Sequence, residues 1–343
     1  MKLDRTSKSR TLRLFIQYFL GPLLFIWLSV SIWRQIQQQP GLEAAWIRIR
    51  SSFSSDRIWY LAAVVLLMFV NWGLEAVKWK ISVKPVQEVG FGKALQAVLS
   101  GVSFSVSTPN RIGEYLGRVL YMDEGNRLRT ISITIVGSIS QLIITLMAGA
   151  AGLLVLKQQI MDRQLMNPIW MSVVQYGVLT VLAGLLLFYF RLSGLIRLLE
   201  KMPGKKRFIY LVEALEDFRP SLLLKLLLLS LLRFGVFILQ YWLCFRFFDV
   251  GLSGPQVLWT ISVAFLVMAV IPTIAIAELA QRGKVVTAIA GLYSLNELGM
   301  TFATAAVWFI NLIVPAVIGS LLILRVRKIM NGKTGTYNSS SLK

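Results

Sequence analysis

The sequence predicts an all-α fold: a polytopic membrane helix bundle of about eight hydrophobic segments, two of them re-entrant, built as an inverted internal repeat. Three observations predict it. Of 343 residues, 56% are hydrophobic and only 15% are charged, where soluble domains carry about 25%; mean hydropathy is +0.67. The apolar residues are gathered into long uncharged runs, most of them near the ~20 residues that a spanning helix needs. The charge that exists is lopsided, with 36 Lys and Arg against 16 Asp and Glu, a net +20. Beside lipid-like runs, such a basic excess marks the cytoplasmic face of a membrane rather than a nucleic-acid surface.

The same composition excludes other classes. Disordered chains are polar, and this one is not. There is no histidine, so histidine acid/base catalysis and histidine metal ligation are excluded. The single cysteine, Cys244, cannot form an internal disulfide and reads as a small apolar packing residue. No metal site and no cofactor are expected, and no GxxxxGK[ST] nucleotide motif is present.

The segments follow in order. Residues 14–33 are uncharged and follow Lys2, Arg5, Lys8, Arg10 and Arg13. The run is longer than the ~7–15-residue apolar core of a signal peptide, so it reads as a retained anchor. Residues 58–74 are uncharged and continue through Glu75 to Val77. Residues 94–110 are uncharged but short, ending in Ser107-Thr108-Pro109-Asn110. Residues 130–156 and 164–190 are long uncharged runs, and 221–245 is apolar save for Lys225 and Arg233. Residues 250–277 are uncharged, with Pro272 near the end, and 298–324 is the last run. Two further stretches read as interfacial helices. One is cytoplasmic, with Phe208, Leu211, Val212, Leu215 and Phe218 beside Glu213, Glu216 and Asp217; the other is 42–49 with Trp46.

The expected organisation is a basic cytoplasmic N-terminus (1–12), one membrane domain (13–328) and a disordered tail (329–343). Within the domain, halves at about 57–190 and 221–325 flank a cytoplasmic connector at 191–220. Basic loops place both termini, 78–93 and 191–225 inside. Three apolar segments lie between those two inside loops, and an odd number of crossings cannot return to one face. The shortest, 94–110, is therefore expected to enter and leave by the same face, lining a cavity where irregular backbone is tolerated. By the same parity 250–277 re-enters or spans.

These two segments resemble each other. Each has a proline ending an apolar run, then a small residue before a Glu, then an Arg four residues later: Pro109, Gly113, Glu114 and Arg118; Pro272, Ala277, Glu278 and Arg282. Glu114 to Glu278 is an offset of 164, as is Arg118 to Arg282. Repeats inverted across the membrane are common in transporters. Proline stops the preceding helix, and a new helix then sets Arg111, Glu114 and Arg118 on one face. Two readings stand: an intrahelical ion pair at the membrane surface, or arginine forks that bind an anionic head group with Glu114 holding one in place.

Other polar residues sit inside runs. Asn71 and Glu75 share a face of the second helix, and Arg233 and Gln240 lie seven apart on the sixth. Glu75 either pairs inside the bundle or reaches the interface beside Lys78, and Arg233 pairs with Glu75 or Glu297. Gln141 reads as interhelical glue, and Asn296-Glu297 as a helix start.

At this point the residues resemble a known family. Thr108-Pro109-Asn110-Arg111-Ile112-Gly113-Glu114 with Arg118, Asn71-Trp72 through Glu75 to Trp79, and Leu232-Arg233 to Gln240-Tyr241 are similar to the lysylphosphatidylglycerol synthase transmembrane (flippase-like) family. The resemblance covers about residues 10–328. It departs at the second motif, where Ala275 and Ala277 stand in place of the family's glycines. It implies an integral protein of the bacterial inner membrane that is a stand-alone flippase-like member without the synthase domain.

The expected function is translocation of a phospholipid or polyprenyl-linked anionic lipid between leaflets. Expected partners are the membrane and an anionic lipid head group, not nucleic acid; a homo-oligomer is left open. Substrate-binding candidates are Asn71, Glu75, Arg111, Glu114, Arg118, Arg233, Glu278 and Arg282, with Pro109, Gly113 and Pro272 shaping the motifs. No catalytic residue is assigned. The alternatives are a membrane transferase using a lipid-phosphate donor, with Glu114 or Glu75 as base, and a scaffold in envelope assembly.

Overall fold

The computed structural model describes residues 42–53, 55–106, 112–191, 218–271 and 275–323, together with Val30, Thr108 and Leu215. The run at 14–33 apart from Val30, Pro109, Asn110, Arg111, Pro272, most of the 191–220 connector with its amphipathic stripe, and the tail lie outside the described residues. Among the described residues there is no strand. The helices are α1 (Leu42–Ser52), α2 (Ile58–Val83), α3 (Phe91–Val106), α4 (Gly113–Val119), α5 (Arg127–Asp162), α6 (Pro168–Phe190), α7 (Pro220–Phe247), α8 (Gly254–Val270), α9 (Ala275–Ala290) and α10 (Glu297–Trp308). A π-helical turn, Phe309–Ile313, follows α10, and the helix runs on to Ile323.

Among the described residues, five helices are long and apolar enough to cross a membrane: Ile58–Val83, Glu124–Asp162, Pro168–Phe190, Pro220–Phe247 and Glu297–Ile323. The protein is an all-α, polytopic membrane bundle. Local chemistry sets the ends. Pro168 opens α6, and the Asn167 side chain accepts from the Ile169 N–H at 2.9 Å. The run expected from 164 starts later because Gln164 adopts a positive φ of 54° in the preceding turn. Asn296 caps α10 by accepting from the Gly299 N–H at 2.9 Å, as its sequence position suggests.

α2 shows how an apolar helix divides its surface. Val64, Met68, Trp72, Ala76 and Trp79 recur every three or four residues and are buried. Beside them runs a buried polar stripe of Asn71, Glu75, Lys78 and Ser82. Leu66, Phe69 and Val70 point outward and are exposed, as a lipid-facing surface would be. The helix therefore continues well past Leu74, carrying Glu75 and Lys78 into the bundle.

α2 packs on α7 and on α3, α5 packs on α8, and α3 packs on α4. α3 has 16 residues and spans about 24 Å, short of the ~30 Å hydrocarbon thickness. It turns back on itself into α4. A Cβ on Gly113 would lie 2.3 Å from the Phe104 carbonyl oxygen, and one on Gly117 2.5 Å from the Gly101 Cα. The two helices thus meet at backbone contact, which only glycine permits. Thr108 closes the turn by accepting from the Gly113 N–H at 2.7 Å and donating to Phe104 O at 3.2 Å. α8, with 17 residues, gives way to α9 in a similar order and packs against it. The element sequence long helix, short apolar helix, Glu/Arg helix, long helix occurs twice: α2–α5 and α7–α10.

Candidate functional site

The polar stripe of α2 is the hub of the interior. Glu75 is 4% exposed and is held from three sides. Its Oε1 accepts from Arg118 Nη2 of α4 at 2.9 Å. Its Oε2 accepts from Arg233 Nη1 of α7 at 2.6 Å and faces Lys78 Nζ at 2.8 Å. Arg118 also bonds Glu114, one helical turn earlier on α4. One carboxylate therefore ties together α2, α4 and α7. Of the two partners open for Arg233 in the sequence, the structure selects Glu75. Lys78, which reads in the sequence as a loop charge, is buried in this cluster.

A chain of amides continues from Arg233. Its Nε donates to Asn71 Oδ1 at 2.7 Å. Asn71 Nδ2 donates to Asn311 Oδ1 at 2.9 Å, and Asn311 Nδ2 donates to Gln240 Oε1 at 3.1 Å. Gln240 Nε2 ends the chain on Val64 O at 3.0 Å. Such a satisfied network fixes the arginine's position in a low-dielectric interior. Asn311 is missed by the sequence reading; its signal is a lone amide inside the last apolar run.

Beside this network lies a cavity of about 600 Å³, within the range of small-ligand sites. Its polar wall includes Gln141, Arg233, Glu278, Arg282 and Asn311. Arg282 Nη2 donates to Glu278 Oε1 at 2.5 Å, so both Glu/Arg pairs of the repeat form within their own helices. Its aromatic wall includes Trp72, Phe237, Phe265 and Trp308. Arg233 stacks 5.0 Å over Trp72, and Arg282 5.5 Å over Phe265. Cations held this way keep their charge while their orientation is set by the rings.

The structure thus sorts the candidates. Asn71, Glu75, Glu114, Arg118 and Arg233 come together in one network, joined by Lys78. Arg233 also faces the cavity, where Glu278 and Arg282 join it. Arg118 is 3% exposed and lies behind the cavity wall. Arg111 is outside the described residues. Gln141 lines the cavity, and its Oε1 bonds no other helix among the described residues. Among the cluster and cavity residues, four cations (Lys78, Arg118, Arg233, Arg282) face three carboxylates (Glu75, Glu114, Glu278). The arrangement can hold an anion at Arg233 and Arg282, and among the described residues each of its three carboxylates is ion-paired.

The profile of the lysylphosphatidylglycerol synthase TM region family matches residues 18–322. A search of curated proteins finds no match. The match spans nearly the whole chain, including both halves of the fold and every residue of the buried network: the chain belongs to the lysylphosphatidylglycerol synthase TM region family.

Proposed function

We propose that this protein moves an anionic lipid, a phospholipid or a polyprenyl-linked lipid, between the leaflets of the bacterial inner membrane, with both termini cytoplasmic. The observation that carries the proposal is the cavity whose wall presents Arg233 and Arg282 to one space. Guanidinium forks suit phosphate oxygens. An intramembrane cation facing a cavity marks a substrate path. The α3–α4 and α8–α9 pairs act as the two re-entrant elements of an inverted repeat, and the cavity lies between the halves. Arg233 and Arg282 meet the phosphate. Glu75 holds Arg233 from behind, Arg118 and Glu114 anchor Glu75 in turn, and Arg111 of the first motif is a further phosphate-binding guanidinium in this reading. Family membership supports a flippase-like activity, and the short α3 and α8 support re-entrance.

The test is transfer of head-group-labelled phosphatidylglycerol across proteoliposomes. Arg233→Ala and Arg282→Ala should abolish transfer while leaving membrane insertion intact. Arg118→Ala should slow it by freeing Glu75; normal transfer in all three variants would sink the assignment. A new covalent lipid product in the same vesicles would favour the transferase reading.

A further inference from the structure

We propose that Lys78 is a proton site linked to the cavity: a phosphate group that binds beside Arg233 takes up a proton at Lys78, and the two move together. The proposal deepens the translocation reading and rests on it for the phosphate's belonging to a lipid. The charged cluster around Glu75 carries it. Lys78, Arg118 and Arg233 bring three cations to Glu75, and Glu114 adds a second carboxylate through Arg118. The cluster therefore holds one positive charge more than its two carboxylates neutralise. Glu75, Lys78 and Arg118 are buried, and a surplus charge in a bundle interior is costly.

One member of the cluster is able to shed that surplus. A guanidinium keeps its proton throughout the range a protein meets. A proton added to either carboxylate would enlarge the surplus. A lysine amine exists in both charged and neutral forms, and the neutral amine still has hydrogens to donate to Glu75 Oε2, 2.8 Å away. The charged groups that act on Lys78 are Glu75 from its own helix, Arg118 from α4 and Arg233 from α7. From α5, Gly137 faces its stem, where a Cβ would lie 4.0 Å from Lys78 Cε. Among the described residues, α3 and the π-helical turn, which also pack on α2, add no charged group to it. Val83, the end of α2, is five residues on, about 7.5 Å of helix rise, which gives a proton a short way in.

Lys78 does not line the cavity, but Arg233 does. Arg233 Nη1 and Lys78 Nζ meet the same oxygen, Glu75 Oε2, at 2.6 and 2.8 Å. A change of charge at one is felt by the other across a poorly screened interior. A phosphate oxygen that engages Arg233 supplies the negative charge that the cluster lacks. The ammonium form of Lys78 is then favoured with phosphate bound, and the neutral amine without it. By linkage the proton strengthens phosphate binding by the same factor as phosphate strengthens proton binding. Affinity therefore falls as pH rises through the window in which Lys78 titrates.

Calorimetric titration of the purified full-length protein in two buffers of different ionisation enthalpy counts the protons taken up per ligand bound. The probes are dioctanoylphosphatidylglycerol and glycerol phosphate, from about pH 6 to 10, a range around the ordinary lysine value. The wild-type protein should take up as much as one proton per phosphate, with Kd weakening by up to about tenfold per pH unit. Uptake with the lipid alone assigns the phosphate to a lipid; uptake with both probes assigns it to the phosphate group itself, and both results support the proton site. Lys78→Met and Lys78→Arg fix the neutral and the charged state, and each should remove the proton uptake and flatten the pH dependence. A purely structural role for Lys78 would change the affinity and leave the pH slope. The arginine variant keeps the cation, so it stays informative if the methionine variant fails to fold. A wild-type protein that binds without proton uptake, or uptake unchanged in both variants, overturns the proposal. Vesicle transfer separates the two ideas. Linked binding without transfer overturns translocation and leaves the proton site standing. Transfer that is indifferent to pH and carries no proton overturns the proton site alone, and binding of neither probe overturns both.

Discussion

Glu75→Gln is the most informative single change outside the cavity wall. The carboxylate holds Arg118 at 2.9 Å, Arg233 at 2.6 Å and Lys78 at 2.8 Å, all with little exposure. The amide is nearly isosteric, so packing is kept and the charge is removed. Three buried cations then face the one carboxylate left in the cluster, Glu114. The side chain's NH2 group also points a donor at groups that only donate. Removing one partner from a buried ion pair costs about 3–5 kcal/mol, a large share of a stability of roughly 5–15 kcal/mol. The midpoint of thermal unfolding in detergent should fall by on the order of 10 °C. Lys78→Met added to Glu75→Gln removes one stranded cation and should recover part of the loss, with a coupling above about 1 kcal/mol. A Glu75→Gln protein whose midpoint stays within about 2 °C of wild type would refute the reasoning, as would strict additivity of the double variant.

Three further outcomes are expected. Gly113→Ala should destabilise the α3–α4 turn by about 1–3 kcal/mol, because its Cβ would lie 2.3 Å from Phe104 O. Gly73→Ala, with nothing within 4 Å of its Cβ, is the matched control by thermal unfolding. Asn311→Leu strands Asn71 Nδ2 and Gln240 Oε1, at about 1–3 kcal/mol for each buried group left unpaired, and should lower the unfolding midpoint and slow lipid transfer together. Cys244 is 0% exposed and should resist maleimide in the folded protein and label fully in denaturing detergent; rapid labelling of the folded protein would contradict its burial.

Much of the helical layout was legible because one force writes it plainly. Lipid and the bundle interior both exclude charge, so a spanning helix must appear as an uncharged run, and Thr130, Leu156, Pro220 and Phe247 fall in or near the runs that the sequence marks. Helix ends were less legible. α2 runs on to Val83 because Glu75 and Lys78 neutralise each other in the interior, whereas the run read from the sequence continues through Glu75 only to Val77 and stops at Lys78. Lys78 looked like a loop charge for that reason.

The site was legible as a set of suspects. A polar or charged residue inside an apolar run is costly enough that it must have a partner, which singled out Asn71, Glu75 and Arg233; the repeated motif singled out Arg111, Glu114, Arg118, Glu278 and Arg282. The sequence by itself determined membrane residence, helical class, the paired Glu/Arg motifs and the glycine at Gly113, because composition, spacing and side-chain size are local properties. Only the tertiary structure decided which charge meets which. Pairing depends on the packing of α2 against α7 and α4, over sequence separations of 158 residues for Glu75 with Arg233 and 43 for Glu75 with Arg118. The same packing put Arg118 behind the wall and left Arg233 and Arg282 facing the cavity, a difference between two like motifs that no periodicity contains.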